Sequence, residues 1–199
     1  NGLIRKRRHF IGISPASPLT RLARVHGYMA AADTFLAVSL ADSLFLSISP
    51  DAARGKVLLF LALSLAPFAI LAPLGGPYID RLPGGRRLTV FGVGIARALV
   101  VILMIGRIDS VLLFPLAFFS LVLAKTYSVS RSSLVPTLVH SDDELVAANG
   151  KLGLVVGIVS FVAVVPAGLI HLIGSGVSLA VAAALFIMAA AMAMQLPRH

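Results

Sequence analysis

Six long apolar runs, separated by short polar or Gly/Pro-containing breaks, constrain this chain more than any other feature. Residues 152–196 contain no Asp, Glu, Lys or Arg at all. A hydrocarbon core about 30 Å thick takes roughly 20 apolar residues per crossing helix. Lipid offers no partner to an open backbone group, so such runs must close their hydrogen bonds internally, as helices. Six such helices fit in 199 residues with short connections; eight do not. Charged residues make up 13% of the chain, where a soluble domain carries about 25%. The expected fold is an all-α integral membrane protein, a bundle of six transmembrane helices.

The breaks divide the chain as follows. Residues 1–21, with Arg5-Lys6-Arg7-Arg8 and a Ser-Pro-Ala-Ser-Pro stretch, read as a basic arm. The bundle occupies 22–199, with spans at about 22–48, 56–79, 88–105, 111–130, 152–172 and 177–196. Residues 131–151 form the one sizeable polar connection. Within it Ser141-Asp-Asp-Glu144 has capping-box spacing and predicts a short helix from Asp142. Pro67, Pro73 and Pro77 predict a bend in the second span, tolerated where neighbours satisfy the freed carbonyls.

The net charge of +9 does not indicate nucleic acid. The basic residues gather at the ends of the apolar runs, and no aromatic-interleaved basic surface offers stacking to bases. With both ends on one side, that side holds Arg5, Lys6, Arg7, Arg8, Arg21, Arg24, Arg81, Arg86, Arg87, Arg131, Lys151 and Arg198. The other side holds Arg54, Lys56 and Arg107. This asymmetry predicts cytoplasmic termini in a bacterial plasma membrane. The absence of cysteine and the scatter of five histidines leave no thiolate and no metal-ligand spacing. Neither a nucleophile triad nor a phosphate loop is present, so neither enzymatic activity nor a cofactor is expected. The chain begins at Asn1, and an upstream segment is expected.

The break between spans two and three is Gly76-Pro-Tyr-Ile-Asp80-Arg81-Leu-Pro-Gly-Gly85-Arg86-Arg87. It resembles the signature loop between helices 2 and 3 of the major facilitator superfamily, Gly-x-x-x-Asp-Arg-x-Gly-Arg-Arg. Pro83 and Gly84 are additional here. Arg131-Ser-Ser-Leu-Val-Pro136, followed by Leu145-Val-Ala-Ala-Asn149, is similar to the helix 4–5 connection of bacterial efflux-type members. Asp33 stands in helix 1 where such exporters often carry an acid. The resemblance covers spans one to five and implies the N-terminal half of a transporter whose substrate site lies between two halves. It implies that Gly76, Asp80, Arg81, Gly85, Arg86, Arg87 and Arg131 form a cytoplasmic gate.

Ionisable groups inside a bilayer are costly and mark candidate sites. Asp33 lies about 16 Å into span one at 1.5 Å per residue. Two roles stay open for it: a protonatable coupling site, or an ion pair with Arg97 or Lys125. Arg97 lies about 15 Å into span three and suits an ion pair or an anionic substrate group. His26 lies near the membrane border on nearly the face of Asp33, Asp42 on the opposite face, and Lys125 in position to snorkel inward. Ser39, Ser43 and Ser47 form a stripe that suits either a polar cavity or close helix packing. Gly92 and Gly94 read as packing glycines. Two functions are expected: proton-linked export of a hydrophobic or amphiphilic molecule, or a half-size accessory subunit in a larger membrane complex. Expected partners are membrane lipids and a second six-helix half, a homodimer mate or another subunit.

Overall fold

The computed structural model describes residues 17–41, 85–108, 110 and 112–196, together with Leu58 and Ala62. Apart from Leu58 and Ala62, the second expected span lies outside the described residues, as do the basic arm up to residue 16 and Gly76, Asp80, Arg81, Asp42, Ser43 and Ser47. The rest is helical: α1 (Pro18–Ala41), α2 (Gly85–Met104), α3 (Leu113–Leu134) continued by a 3₁₀ turn (Val135–Leu138), α4 (Asp142–Ile173) and α5 (Ser175–Ala193). Four of these helices, α2 to α5, are long and apolar enough to cross a membrane.

Local chemistry sets the helix ends, and in places it moves them from the expected positions. The arm stops short of residue 21, because Ser17 accepts a hydrogen bond from Thr20 N at 3.2 Å and Pro18 occupies the first helical position. Both favour helix initiation there. The segment 131–151 is not one polar connection. α3 runs on to Leu134, and its 3₁₀ extension ends at Leu138. Ser141 then caps α4 by accepting from Glu144 N at 3.2 Å, while the Glu144 carboxylate accepts from His140 N at 2.8 Å. The short capped helix and the fifth span are thus one continuous helix of 32 residues. α2 is closed two residues past Met104 by Gly106, whose φ of +75° is the left-handed conformation that ends a helix at little cost for glycine.

α5 is the centre of the arrangement. α1 and α2 both pack mainly against it, α4 packs on α1, and α3 on α2. Its buried face is Ser178, Leu179, Ala182, Ala183, Phe186, Ala189, Ala190 and Ala193, a stripe at helical spacing dominated by alanine. Without a hydrophobic force between helices in lipid, close approach through small residues supplies the attraction. Gly94 of α2 shows how close: a Cβ there would stand 2.9 Å from the Ala190 Cβ. Gly92 has nothing within 4 Å, so of the two only Gly94 serves packing.

Named contacts fix the directions. Arg21 donates to Gln195 O at 3.0 Å, and Arg87 donates to Leu196 O at 3.2 Å. Further along, Ser178 reaches Phe35 O at 3.5 Å. α1 and α2 therefore both start at the C-terminal end of α5 and run antiparallel to it. Arg21 and Arg87 hold carbonyls just past that end, where a cation also meets the negative pole of the helix dipole.

Candidate functional site

Two polar clusters lie inside the apolar helices. The first joins α1 and α2. Arg97 is only 2% exposed and is among the largest fully buried side chains. Its Nη1 donates to Asp33 Oδ2 at 3.2 Å and its Nη2 donates to Asp33 Oδ1. Two parallel N–H···O bonds match the planar fork of guanidinium to the carboxylate. The guanidinium carbon also lies 4.3 Å from the centroid of Phe186 on α5, within reach of a cation–π attraction. Arg97 Nε has no hydrogen-bond partner among the described residues. A buried arginine is tolerable only because charge, hydrogen bonds and ring face are supplied together.

Asp33 differs from its partner in access: its side chain is 47% exposed. It opens onto a cleft of about 400 Å³ between α1, α2 and α3, lined by Leu36, Ala37, Leu40, Arg97, Ala117, Ser120, Leu121 and Ala124 among others. The cleft is apolar except for the ion pair and Ser120. Of the two charged groups lining it, the carboxylate is the exposed one and the guanidinium the buried one.

The second cluster joins α1 and α3. Arg131 Nη1 donates to His26 Nε2 at 3.2 Å, and His26 Nδ1 lies 3.1 Å from Tyr127 Oη. Arginine has no acceptor, so Nε2 must present its lone pair and the proton sits on Nδ1. His26 then donates to Tyr127, which is 5% exposed. The histidine ring also packs on the tyrosine, with centroids 5.7 Å apart.

The structure thus regroups the residues picked out by the sequence. Of the two partners open to Asp33, it selects Arg97. Lys125 is half-buried and does not line the Asp33 cleft. His26 does not join Asp33 and is more than an interfacial residue; it binds Arg131, assigned by resemblance to the gate. Arg87, also a gate residue by resemblance, binds the end of α5, and Gly85 and Arg86 begin α2. Ser39 is fully buried and donates to Phe35 O at 2.8 Å, which fits packing rather than a polar cavity. Sequence reading missed Tyr127 and Phe186. Tyr127 stands four residues before Arg131 on one helix face, a signal that was available. Phe186 is the lone aromatic of the alanine-rich α5.

Among the described residues no group of His, Asp and Glu could hold a metal ion.

The chain is 35% identical over 182 residues to an uncharacterized protein of Mycobacterium leprae, an alignment covering 84% of this chain and 31% of that protein. Uncharacterized proteins from two strains of Mycobacterium tuberculosis match at the same identity, with 32% of their length covered. The chain therefore spans about a third of the length of the curated relatives it matches. No protein-family profile matches the chain, and no solved structure matches it.

Proposed function

We propose that this chain is the N-terminal six-helix half of a secondary transporter of the major facilitator type in the bacterial plasma membrane. The observation that carries the reading is the Asp33–Arg97 pair: a buried cation bound to a carboxylate that opens onto an apolar cleft. In a transporter such a pair is a switch. A proton on Asp33 removes the negative charge that holds Arg97, and the freed guanidinium can take an anionic group or reorient. The apolar lining suits a hydrophobic or amphiphilic substrate. Proton-linked export is the direction the resemblance suggests.

Two further observations support the six-helix reading. α1 and α2 begin at the same end of α5, so the chain between Ala41 and Gly85 connects opposite ends. The expected second span would supply that crossing. The matched relatives are also about three times as long as the matched region, which leaves room for a second bundle facing this one. That length argues against a half-size accessory subunit.

The test uses the lack of cysteine in this chain. Single cysteines at Ala37 and Leu121, in the cleft, would be introduced into the full-length protein after removal of any others. They would then be labelled in vesicles with a membrane-impermeant thiol reagent. Alternating access predicts labelling from both sides, with Asp33→Asn shifting the ratio at least severalfold. Labelling from one side only, unchanged by Asp33→Asn, would sink the transporter reading and leave the anchoring subunit.

A further inference from the structure

A second cleft, of about 640 Å³, lies between α1, α4 and α5 on a different side of α1 from Asp33. Its geometry is orderly. Gly27 of α1 faces Val155 and Val159 of α4; a Cβ there would stand 3.5 and 3.7 Å from their methyls. One turn earlier on α1 stands Arg24, and one turn earlier on α4 stands Lys151; both line the cleft. The two helices run parallel here, so both cations lie at the same end of the trough. Thr20 adds a hydroxyl at that end. Beyond the cations the lining, which includes Ala31, Val159 and Leu185, is apolar apart from the Tyr28 phenol. From Thr20 to Ala31 the trough spans about 16 Å along α1 at 1.5 Å per residue.

Among the described residues neither Arg24 nor Lys151 has an ion-pair partner. The acids on α4, Asp142, Asp143 and Glu144, stand about two turns or more beyond Lys151. Two cations without an ion-pair partner among the described residues, at the mouth of an apolar trough, complement a molecule with an anionic head and a hydrocarbon tail. We infer that this cleft is a specific site for one anionic phospholipid, its phosphate between Arg24 and Lys151 and an acyl chain along Gly27, Ala31 and Val159. Basic residues at a membrane border attract anionic headgroups. The trough adds what a flat basic surface lacks, a fixed place for the chain. This site stands apart from the Asp33 cleft and does not depend on transport.

The experiment is lipid binding by the purified full-length protein in neutral detergent, read by native mass spectrometry. Phosphatidylglycerol and phosphatidylcholine of the same acyl chains are the probes. One bound phosphatidylglycerol is expected, held roughly tenfold or more tighter than phosphatidylcholine. Arg24→Gln with Lys151→Gln should bring the two lipids level, while Arg24→Lys retains most of the preference. Ala31→Phe, which fills the trough, should weaken both lipids. Arg107→Gln, at the opposite end, controls for net charge and should change nothing. Circular dichroism verifies that each variant keeps its helix content. Equal binding of both lipids by the parent protein overturns the proposal. So does loss of phosphatidylglycerol preference in Arg107→Gln alone. Full competition by inorganic phosphate, with no effect of Ala31→Phe, would make the site a phosphate site and also overturn it.

Discussion

α4 and α5 share the long charge-free stretch, are joined through Gly174, and are both apolar around their whole circumference between 152 and 193. Their places in the structure are opposite. α5 buries eight of its 19 residues, and α4 buries four of its 32: Ala148, Leu152, Ala163 and Ala167. Phe161 and Leu172 of α4 are 82% and 83% exposed. Hydropathy does not distinguish the two helices; side-chain size does. α5 presents alanine to both neighbours and lets them approach. α4 presents Val, Leu, Ile and Phe on most of its surface and touches its neighbours through a thin stripe. Where lipid is as apolar as leucine, small residues decide which helix goes inside.

The largest expected effect tests the side of the bundle that α5 supports. Asp33→Ala strands the buried Arg97 against Phe186, and should lower stability by about 3 kcal/mol in SDS-titration unfolding from mixed micelles. Arg97→Met in the same chain should recover most of that loss, since an apolar side chain needs no partner. Simple additivity of the two changes would mean that the pair does not act as a unit.

The next effect lies at the closest seam. Gly94→Val should cost about 1–3 kcal/mol by overpacking against Ala190. Gly157→Val on α4, where nothing stands within 4 Å, should be close to neutral in the same assay. Equal penalties at both positions would break the distinction drawn between the two helices. The smallest effect is on the outer face of α4. Phe161→Ala should change stability by less than about 0.5 kcal/mol, whereas Phe186→Ala should cost about 3 kcal/mol. A cost at Phe161 comparable to that at Phe186 would show that the face is covered in the purified protein.

Much of the fold was legible because the signals are local. The four later apolar runs coincide with α2 to α5 within a few residues, apart from the extended end of α3 and the long start of α4. The Ser141 cap is present, although Glu144 accepts from His140 N rather than from Ser141 N, and the helix it opens is long rather than short. α1 was legible from its apolar residues, although its described part, with Arg21, Arg24, His26 and Asp33, is less apolar than the other helices. The continuation of α4 through residues 142–151 was missed for a physical reason. A span template asks how many apolar residues fit in lipid, but a helix continues for as long as its cap and backbone propensity allow. At the site, the Asp33–Arg97 pair was among the alternatives because both residues are charges in apolar runs. The His26–Tyr127–Arg131 chain was not: Tyr127 and Arg131 stand one turn apart on α3, but the contacts of His26 across 101 and 105 positions leave no periodic trace. Phe186 was invisible for a related reason: a ring under a guanidinium looks, in sequence, like any core aromatic.

The unbroken length of α4 has a mechanical consequence. At 1.5 Å per residue its 32 residues extend about 48 Å, well beyond a hydrocarbon layer of about 30 Å. The first ten residues form a stiff rod with Asp142, Asp143 and Glu144 at its tip. A rotation of about 10° around Leu152 would sweep that tip through roughly 2–3 Å, given the same rise per residue. Such a tilt would displace three negative charges together, against the packing of Leu145 and Ala148 on the core.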